Sequence, residues 1–223
     1  MAAASKKIGL MGGTFNPIHY GHLAAAEECR VRLALDRVLF IPAGEPPHKR
    51  RQSVTPAADR VAMVELAIAG NPHFELCRIE VDRVGPSYTV DTLAELRDLE
   101  GPTAELFFIV GMDSLAEIPT WYQPARIVEL ARLVAIARGG YAVYDPPLLE
   151  PRIPDARERI TLLPGPELTI SSSDLRARVA AGLPIRYQVP ESVEAYIRSQ
   201  GLYRAETCRE SLDRAGVGGL KHG

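Results

Sequence analysis

The sequence is short of several things, and each shortage closes off a class of protein. Only three cysteines occur in 223 residues, Cys29, Cys77 and Cys208, and none forms a C-x-x-C. That argues against a disulfide framework or a zinc ribbon, and a reducing compartment fits best. There is no excess of basic charge: 26 Lys and Arg face 28 Asp and Glu, a net charge of −2. Without a global positive field, nucleic acid is not an expected partner, and an anion must be caught locally. No run approaches the ~18 apolar residues of a membrane span. The apolar run behind MAAASKK, residues 8–11, is cut by two glycines and is too short for the core of a secretion signal. The chain therefore reads as cytoplasmic, with no membrane partner.

What is present is ordinary globular composition in a length that suits one α/β domain. Short β-rich runs alternate with helical patterns. Strands are expected at residues 8–11, 37–42, 74–81, 105–110, 133–137, 160–163 and 168–171. Helices are expected at 22–35, 60–69, 89–99, 124–130, 173–181 and 190–199. Continuous apolar strands between helices argue for a parallel sheet covered on both faces. Two loops are long and rich in proline, residues 44–59 and 139–157; the first is also basic, and loops of this length tend to be functional. The tail beyond residue 204 has glycine and charge without an apolar period and is expected to be frayed or disordered.

The chemistry concentrates where the first strand ends, in GGTFNPIHYGH at residues 12–22. The glycines do not form a G-x-G-x-x-G or a P-loop. The placement nevertheless suits a phosphate site, at the carboxyl end of a first strand and just before a helix. Gly12 and Gly13 allow close approach of a ligand. His19 and His22, three apart at the helix start, would face one side, with Gly21 keeping that surface clear. Two imidazole donors there suit a phosphorus centre that gains charge during transfer. A zinc pair is the bland alternative, but it needs two further ligands and none stands at a suitable offset.

Four other stretches carry candidates. ISSSDLRAR at 170–178 is a capped helix start or an anion site; Arg176, taken to lie in the first turn, works against the helix dipole unless an anion binds there. Asp113, in GMDS after the apolar strand ELFFIV, could hold ribose hydroxyls, hold magnesium or cap a helix. Thr89 in SYTVDT is a helix cap or a contact for a ligand carboxylate, and Trp121, the single tryptophan, is core or a stacking surface. PPHKRR at 46–51 is a solvated run or a basic loop over substrate phosphates.

Together, GGTFNPIHYGHL, the PPHK loop, SYTVDTL, GMDSL, the TW pair at 120–121, ISSSDLR and VPESVEAYI…GLY resemble the bacterial nicotinate-nucleotide adenylyltransferases, nucleotidyltransferases marked by [H/T]-x-G-H. The resemblance covers residues 8–203. It implies a Rossmann-like doubly wound parallel sheet with a small C-terminal helical part, about residues 172–204 of a domain spanning 1–204. It also implies an enzyme of NAD biosynthesis that joins ATP to nicotinate mononucleotide, with Mg2+, to give deamido-NAD and pyrophosphate. A homo-oligomer is compatible with it. By the same resemblance His19, His22 and Arg176 would be catalytic. Gly12, Gly13, Thr14, Phe15, Gly111, Asp113, Arg138, Ile170, Ser171 and Ser172 would bind ATP. Asn16, His48, Lys49, Thr89 and Trp121 would bind the mononucleotide. No protein side chain is assigned as a metal ligand. Asn16 stands where the family often has Asp, Ser173 where Thr is usual, and Gly139 follows Arg138 where Arg-Pro-Gly is common. Alternative readings are an adenylyltransferase for nicotinamide mononucleotide or phosphopantetheine, a cytidylyltransferase, or an inactive nucleotide sensor.

Overall fold

The computed structural model describes residues 5–44, 54–137, 152–153 and 156–204. Among these, six strands form one all-parallel sheet: β1 (Lys7–Gly13), β2 (Arg37–Pro42), β3 (Phe74–Leu76), β4 (Glu105–Gly111), β5 (Arg132–Ala137) and β6 (Ile160–Pro164). Their order is β3-β2-β1-β4-β5-β6, which reverses direction between β1 and β4. This is the doubly wound Rossmann-like order, and the reversal leaves a crevice at the carboxyl ends of β1 and β4.

The side-chain period of two gives the sheet its two cores. Ile8, Leu10, Leu106, Phe108, Leu133 and Ala135 point to one face, where α3 (Thr89–Glu100) and α5 (Pro124–Leu130) cover them. Met11, Val38, Phe40, Phe107, Ile109 and Val134 point to the other. There α1 (Tyr20–Arg32) and α2 (Ala57–Ile68) pack, joined by α7 (Ser172–Ala180) and α8 (Glu191–Ser199) through the buried Leu175, Val193 and Ile197. Each fully buried Leu or Ile contributes roughly 1.5–3 kcal/mol. Gly9 lies on the α1 side of β1 because a Cβ there would stand 2.8 Å from a Leu35 methyl.

Several expectations need correcting. The strand expected at 74–81 stops at Leu76. The Cys77 N–H bonds the Phe40 carbonyl, and a turn closed by Asp82 N–H on the Arg78 carbonyl then carries the chain away. Residues 168–171 are not a strand, since the Leu168 N–H turns back to the Pro166 carbonyl. Two short helices were not foreseen, α4 (Met112–Glu117), which runs into a 3-10 turn over Ile118–Thr120, and α6 (Ala156–Arg159). The tail after 204 lies outside the described residues.

Cys29 on α1 is fully buried, and burial pushes its thiol pKa up to about 12. Only a thiolate alkylates readily. Iodoacetamide at pH 8 should therefore leave Cys29 unmodified in the native protein and modify it fully after denaturation, as read by peptide mass mapping. Native labelling of Cys29 would contradict the packing of α1.

Candidate active site

The crevice at the switch point holds two adjoining cavities. One, of about 320 Å³, is bounded by Gly12, Gly13, Thr14, Glu80, Thr89 and Trp121. The other, of about 220 Å³, is bounded by Gly12, Gly13, His22, Gly111, Asp113 and Trp121. The glycine pair, Phe108, Ser114 and Trp121 are common to both. Two substrates could thus sit on either side of one glycine turn, within reach of each other.

The turn that follows β1 is unusual backbone. Phe15 takes φ 47°, a left-handed conformation costly for a bulky side chain. It is held there by burial and by edge-on contact with the His22 ring at 5.2 Å. His19 is the N-cap of α1 and His22 its third residue, and their rings stack at 3.7 Å. The His19 N–H donates to His22 Nδ1 at 3.3 Å, so the His22 proton sits on Nε2, where it can be donated outward. Gly21 lies against this pair, because a Cβ there would come 3.0 Å from His19 Nδ1. The two histidines differ in access: His19 is 2% exposed, whereas His22 is half-buried and lines the smaller cavity. One N–H of the first helical turn is already engaged, since Tyr20 donates to the Gln188 carbonyl.

The segment 170–176 is brought to this turn from far along the chain, although none of its residues bounds either cavity. Ser171 is the N-cap of α7 and accepts from the Asp174 N–H. Ser172 Oγ donates to the Pro17 carbonyl at 2.8 Å, and the Ile170 carbonyl lies over Gly21. Arg176 is the fifth helical residue, not part of the first turn, because α7 begins at Ser172. The helix dipole therefore gives no reason for an anion at Arg176. Its Nη1 donates to the Asn16 carbonyl at 2.8 Å, and it borders a separate open hollow with Thr55, Ser173, Tyr203 and Arg204. Asn16 is buried and accepts from the Tyr203 hydroxyl through Oδ1.

The remaining candidates resolve as follows. Asp113 is the second residue of α4, whose N-cap is Gly111, so the capping alternative is excluded. Its Oδ1 folds back over Gly111, where a Cβ would be only 2.5 Å away. Thr89 is the first residue of α3 behind the N-cap Tyr88, so it is not a cap either and faces the larger cavity. Trp121 is half-buried and edge-on to Phe108, which makes it core on one side and cavity wall on the other. His48, Lys49 and Arg138 lie outside the described residues. No group of three or more His, Cys, Asp or Glu placed to hold a metal occurs among the described residues. No described helix is long and apolar enough to cross a membrane.

Glu80 and Arg60 are among the residues in and around the site that the sequence did not single out. Glu80 borders the larger cavity, and burial raises its carboxyl pKa. That shift is opposed by the Thr92 hydroxyl, which donates to Oε1 at 2.9 Å, by Arg83, by the Gly44 N–H and by Arg60. Arg60, 2% exposed on α2, donates to the carbonyls of Thr14, Thr55 and Gly44. The available signal was spacing: Arg60 stands three and four residues from Met63 and Val64, within the buried stripe of its helix.

The comparisons with known proteins agree with this geometry. A family profile described as Cytidylyltransferase-like matches residues 10–178. The chain is 54% identical over 201 residues to a probable nicotinate-nucleotide adenylyltransferase of Roseiflexus, covering 90% of this chain and 100% of that one. The chain belongs to the nicotinate-nucleotide adenylyltransferase family. A second member, from Thermomicrobium roseum, is 52% identical and shares 89% of this chain and 92% of its own. Among solved structures, the Plasmodium falciparum nicotinic acid mononucleotide adenylyltransferase complexed with NaAD aligns with a TM-score of 0.74. At 22% identity, over 89% of this chain and 97% of that one, it shares the adenylyltransferase fold.

The raised Glu80 pKa gives a pH signature. A carboxyl raised above its unfolded value binds its proton more tightly in the fold, so stability is lost as pH rises through the folded pKa. Glu80→Gln, which carries no charge, should therefore melt higher than the wild type at pH 7. The gain should vanish as pH falls below the ordinary value of 4.5. Thermal unfolding between pH 4 and pH 8 checks this, and a gain that does not change with pH would contradict it.

Proposed function

We infer that the protein joins ATP to nicotinate mononucleotide, forming deamido-NAD and releasing pyrophosphate. The observation that carries this is the pair of cavities meeting at Gly12 and Gly13 beside His22. Adenylyl transfer between two nucleotides needs two adjoining pockets and one phosphate-binding turn, and the family relationship supplies the reaction class. We assign ATP to the cavity with His22, Gly111 and Asp113, and the mononucleotide to the cavity with Thr89 and Glu80. Trp121 stands between the two and offers a ring face to the pyridine. We read residues 1–204 as a single transferase domain. The free thiols of the buried Cys29 and the half-buried Cys77 fit a cytoplasmic setting.

The chemistry asks for alignment and charge stabilisation more than for proton transfer. A mononucleotide phosphate is already largely dianionic at pH 7, its second pKa being about 6. It attacks the α-phosphorus in line; the new P–O bond forms as the bond to the β-phosphate oxygen breaks, and pyrophosphate carries away the electron pair. The His22 Nε2–H donates to an α-phosphate oxygen as charge builds there. His19, stacked beneath, sets the angle of the His22 ring. Arg176, close to the turn through Asn16, is assigned to the outer phosphates. Magnesium binds through one or two carboxylates together with substrate phosphates, and the exposed Asp113 at the cavity mouth fits that donor set. When bound, Mg2+ would neutralise charge on the leaving pyrophosphate. The motif contains no activated nucleophile, so no adenylyl-enzyme forms.

Pyrophosphate release with ATP plus nicotinate mononucleotide, nicotinamide mononucleotide or phosphopantetheine, each in turn, tests the assignment. The nicotinate form should turn over fastest, with loss of activity in EDTA and recovery with Mg2+. Preference for phosphopantetheine would refute the reading. His22→Ala should lower kcat by ~10²–10³ without unfolding the protein. An adenylyl-enzyme trapped from ATP alone would overturn the direct mechanism.

A further inference from the structure

We propose that Arg60 is a positioning residue for this transfer: through its guanidinium fork it fixes the Thr14–Phe15 peptide at the phosphate turn and ties that turn to the wall of the mononucleotide cavity. The proposal rests on the function assigned above.

Burying a guanidinium is costly unless it is well hydrogen-bonded. A Met or Leu would fill the same stripe of α2, beside Met63 and Val64, without that cost. The bonds explain what the charge does there. Nη1 reaches the Thr14 carbonyl at 2.9 Å, Nε the Thr55 carbonyl at 3.0 Å and Nη2 the Gly44 carbonyl at 3.4 Å. These acceptors come from three separate segments: the turn after β1, the chain leaving β2, and the lead into α2. The planar fork of arginine can serve all three at once, whereas a lysine ammonium on a flexible stem is less suited to it.

The tie to Thr14 bears on the phosphate turn. A trans peptide points its carbonyl and its N–H in opposite directions. With the Thr14 oxygen held on Arg60, the Phe15 N–H is directed away from it, and the oxygen is kept out of the cavity that Thr14 borders. Rotation of this peptide would turn a partial negative charge toward an incoming phosphate. The left-handed Phe15 gives the turn a reason to rotate, since such conformations persist only where their surroundings hold them.

The tie to Gly44 bears on the second substrate. The Gly44 N–H donates to the Glu80 carboxylate. No side chain could stand at Gly44, because a Cβ would lie 2.2 Å from the Glu80 carbonyl oxygen. Glu80 and Thr92, bonded to each other, both border the mononucleotide cavity. One guanidinium thus sets the distance between the turn that receives the α-phosphate and the wall against which the attacking nucleotide lies. Arg60 itself borders neither cavity and acts through Thr14 and Gly44.

The test compares wild type, Arg60→Met and Arg60→Lys. Thermal unfolding establishes the folded fraction, pyrophosphate release gives kcat and KM for each substrate, and Trp121 fluorescence reports ATP binding without a second substrate. Misplacement of reacting groups by about an ångström costs ~10²-fold. Arg60→Met should therefore lose ~10²-fold in kcat per folded molecule, with KM for the mononucleotide nearly unchanged. Arg60→Lys, which keeps the charge but not the fork, should fall about tenfold below wild type. A folded Arg60→Met with kcat within about threefold of wild type would overturn the proposal, leaving Arg60 a stability residue only. If Arg60→Met does not fold, Arg60→Lys decides: wild-type kcat there overturns the proposal. If the wild type itself does not turn over nicotinate mononucleotide, the assigned reaction fails separately. ATP affinity then decides: weakening of about tenfold in the variants supports the proposal, and equal affinity overturns it.

Discussion

The reversal of strand order between β1 and β4 is the constraint on which the rest of the molecule depends. Strands to one side, β2 and β3, and to the other, β5 and β6, are wound in opposite senses, so the crossovers diverge and leave the carboxyl ends of β1 and β4 uncovered. The chain places backbone without side chains at those two ends, Gly12 and Gly13 on one and Gly111 on the other. Both cavities open there, and His22, Asp113 and Thr89 reach them from the first turns of their helices. The sheet itself contributes rigidity. β1 is buried on both faces and paired on both edges, so the glycine turn is anchored to the least mobile part of the fold.

Around that fixed end the phosphate turn is held by distant segments. Arg176 and Tyr203 bind Asn16, Ser172 binds Pro17, Gln188 binds the Tyr20 N–H, and Arg60 binds Thr14. The helical C-terminal segment thus works as a clamp on residues 16–20 rather than as a wall of either cavity. This explains why Ile170, Ser171, Ser172 and Arg176 stand beside the turn and not in the cavities. The Ser172 hydroxyl on Pro17 and the Arg176 guanidinium on Asn16 help give the turn its shape, and the turn gives the site its geometry.

Much of this was legible from residue pattern. The strand Arg37–Pro42 and the helix Pro124–Leu130 fall where apolar period and proline placed them, and His19 and His22 share a face as their spacing required. What was not legible depends on partners far away in sequence. β3 looked longer than it is because apolar residues continue past Leu76 at Cys77, Ile79 and Val81, but the turn at Arg78–Asp82 brings Glu80 against Gly44 instead. The six residues of α4 are too few to show a helical period. Arg60 lay within an apolar stripe, and its use could be known only once Thr14, Gly44 and Thr55 were seen to converge on it.

The bond from Tyr203 to Asn16 spans 187 positions of the chain. Its consequence is one of timing during synthesis. The sheet strands β1 to β6 are all made by residue 164, and most of the apolar core can condense before the last helices leave the ribosome. Beyond its tie to Arg60, the nucleotide turn is fully fastened only when its distant clasps at Ser172, Arg176, Gln188 and Tyr203 have been translated. A nascent chain therefore acquires its shape well before its competence, and it emerges able to fold but not yet able to catalyse.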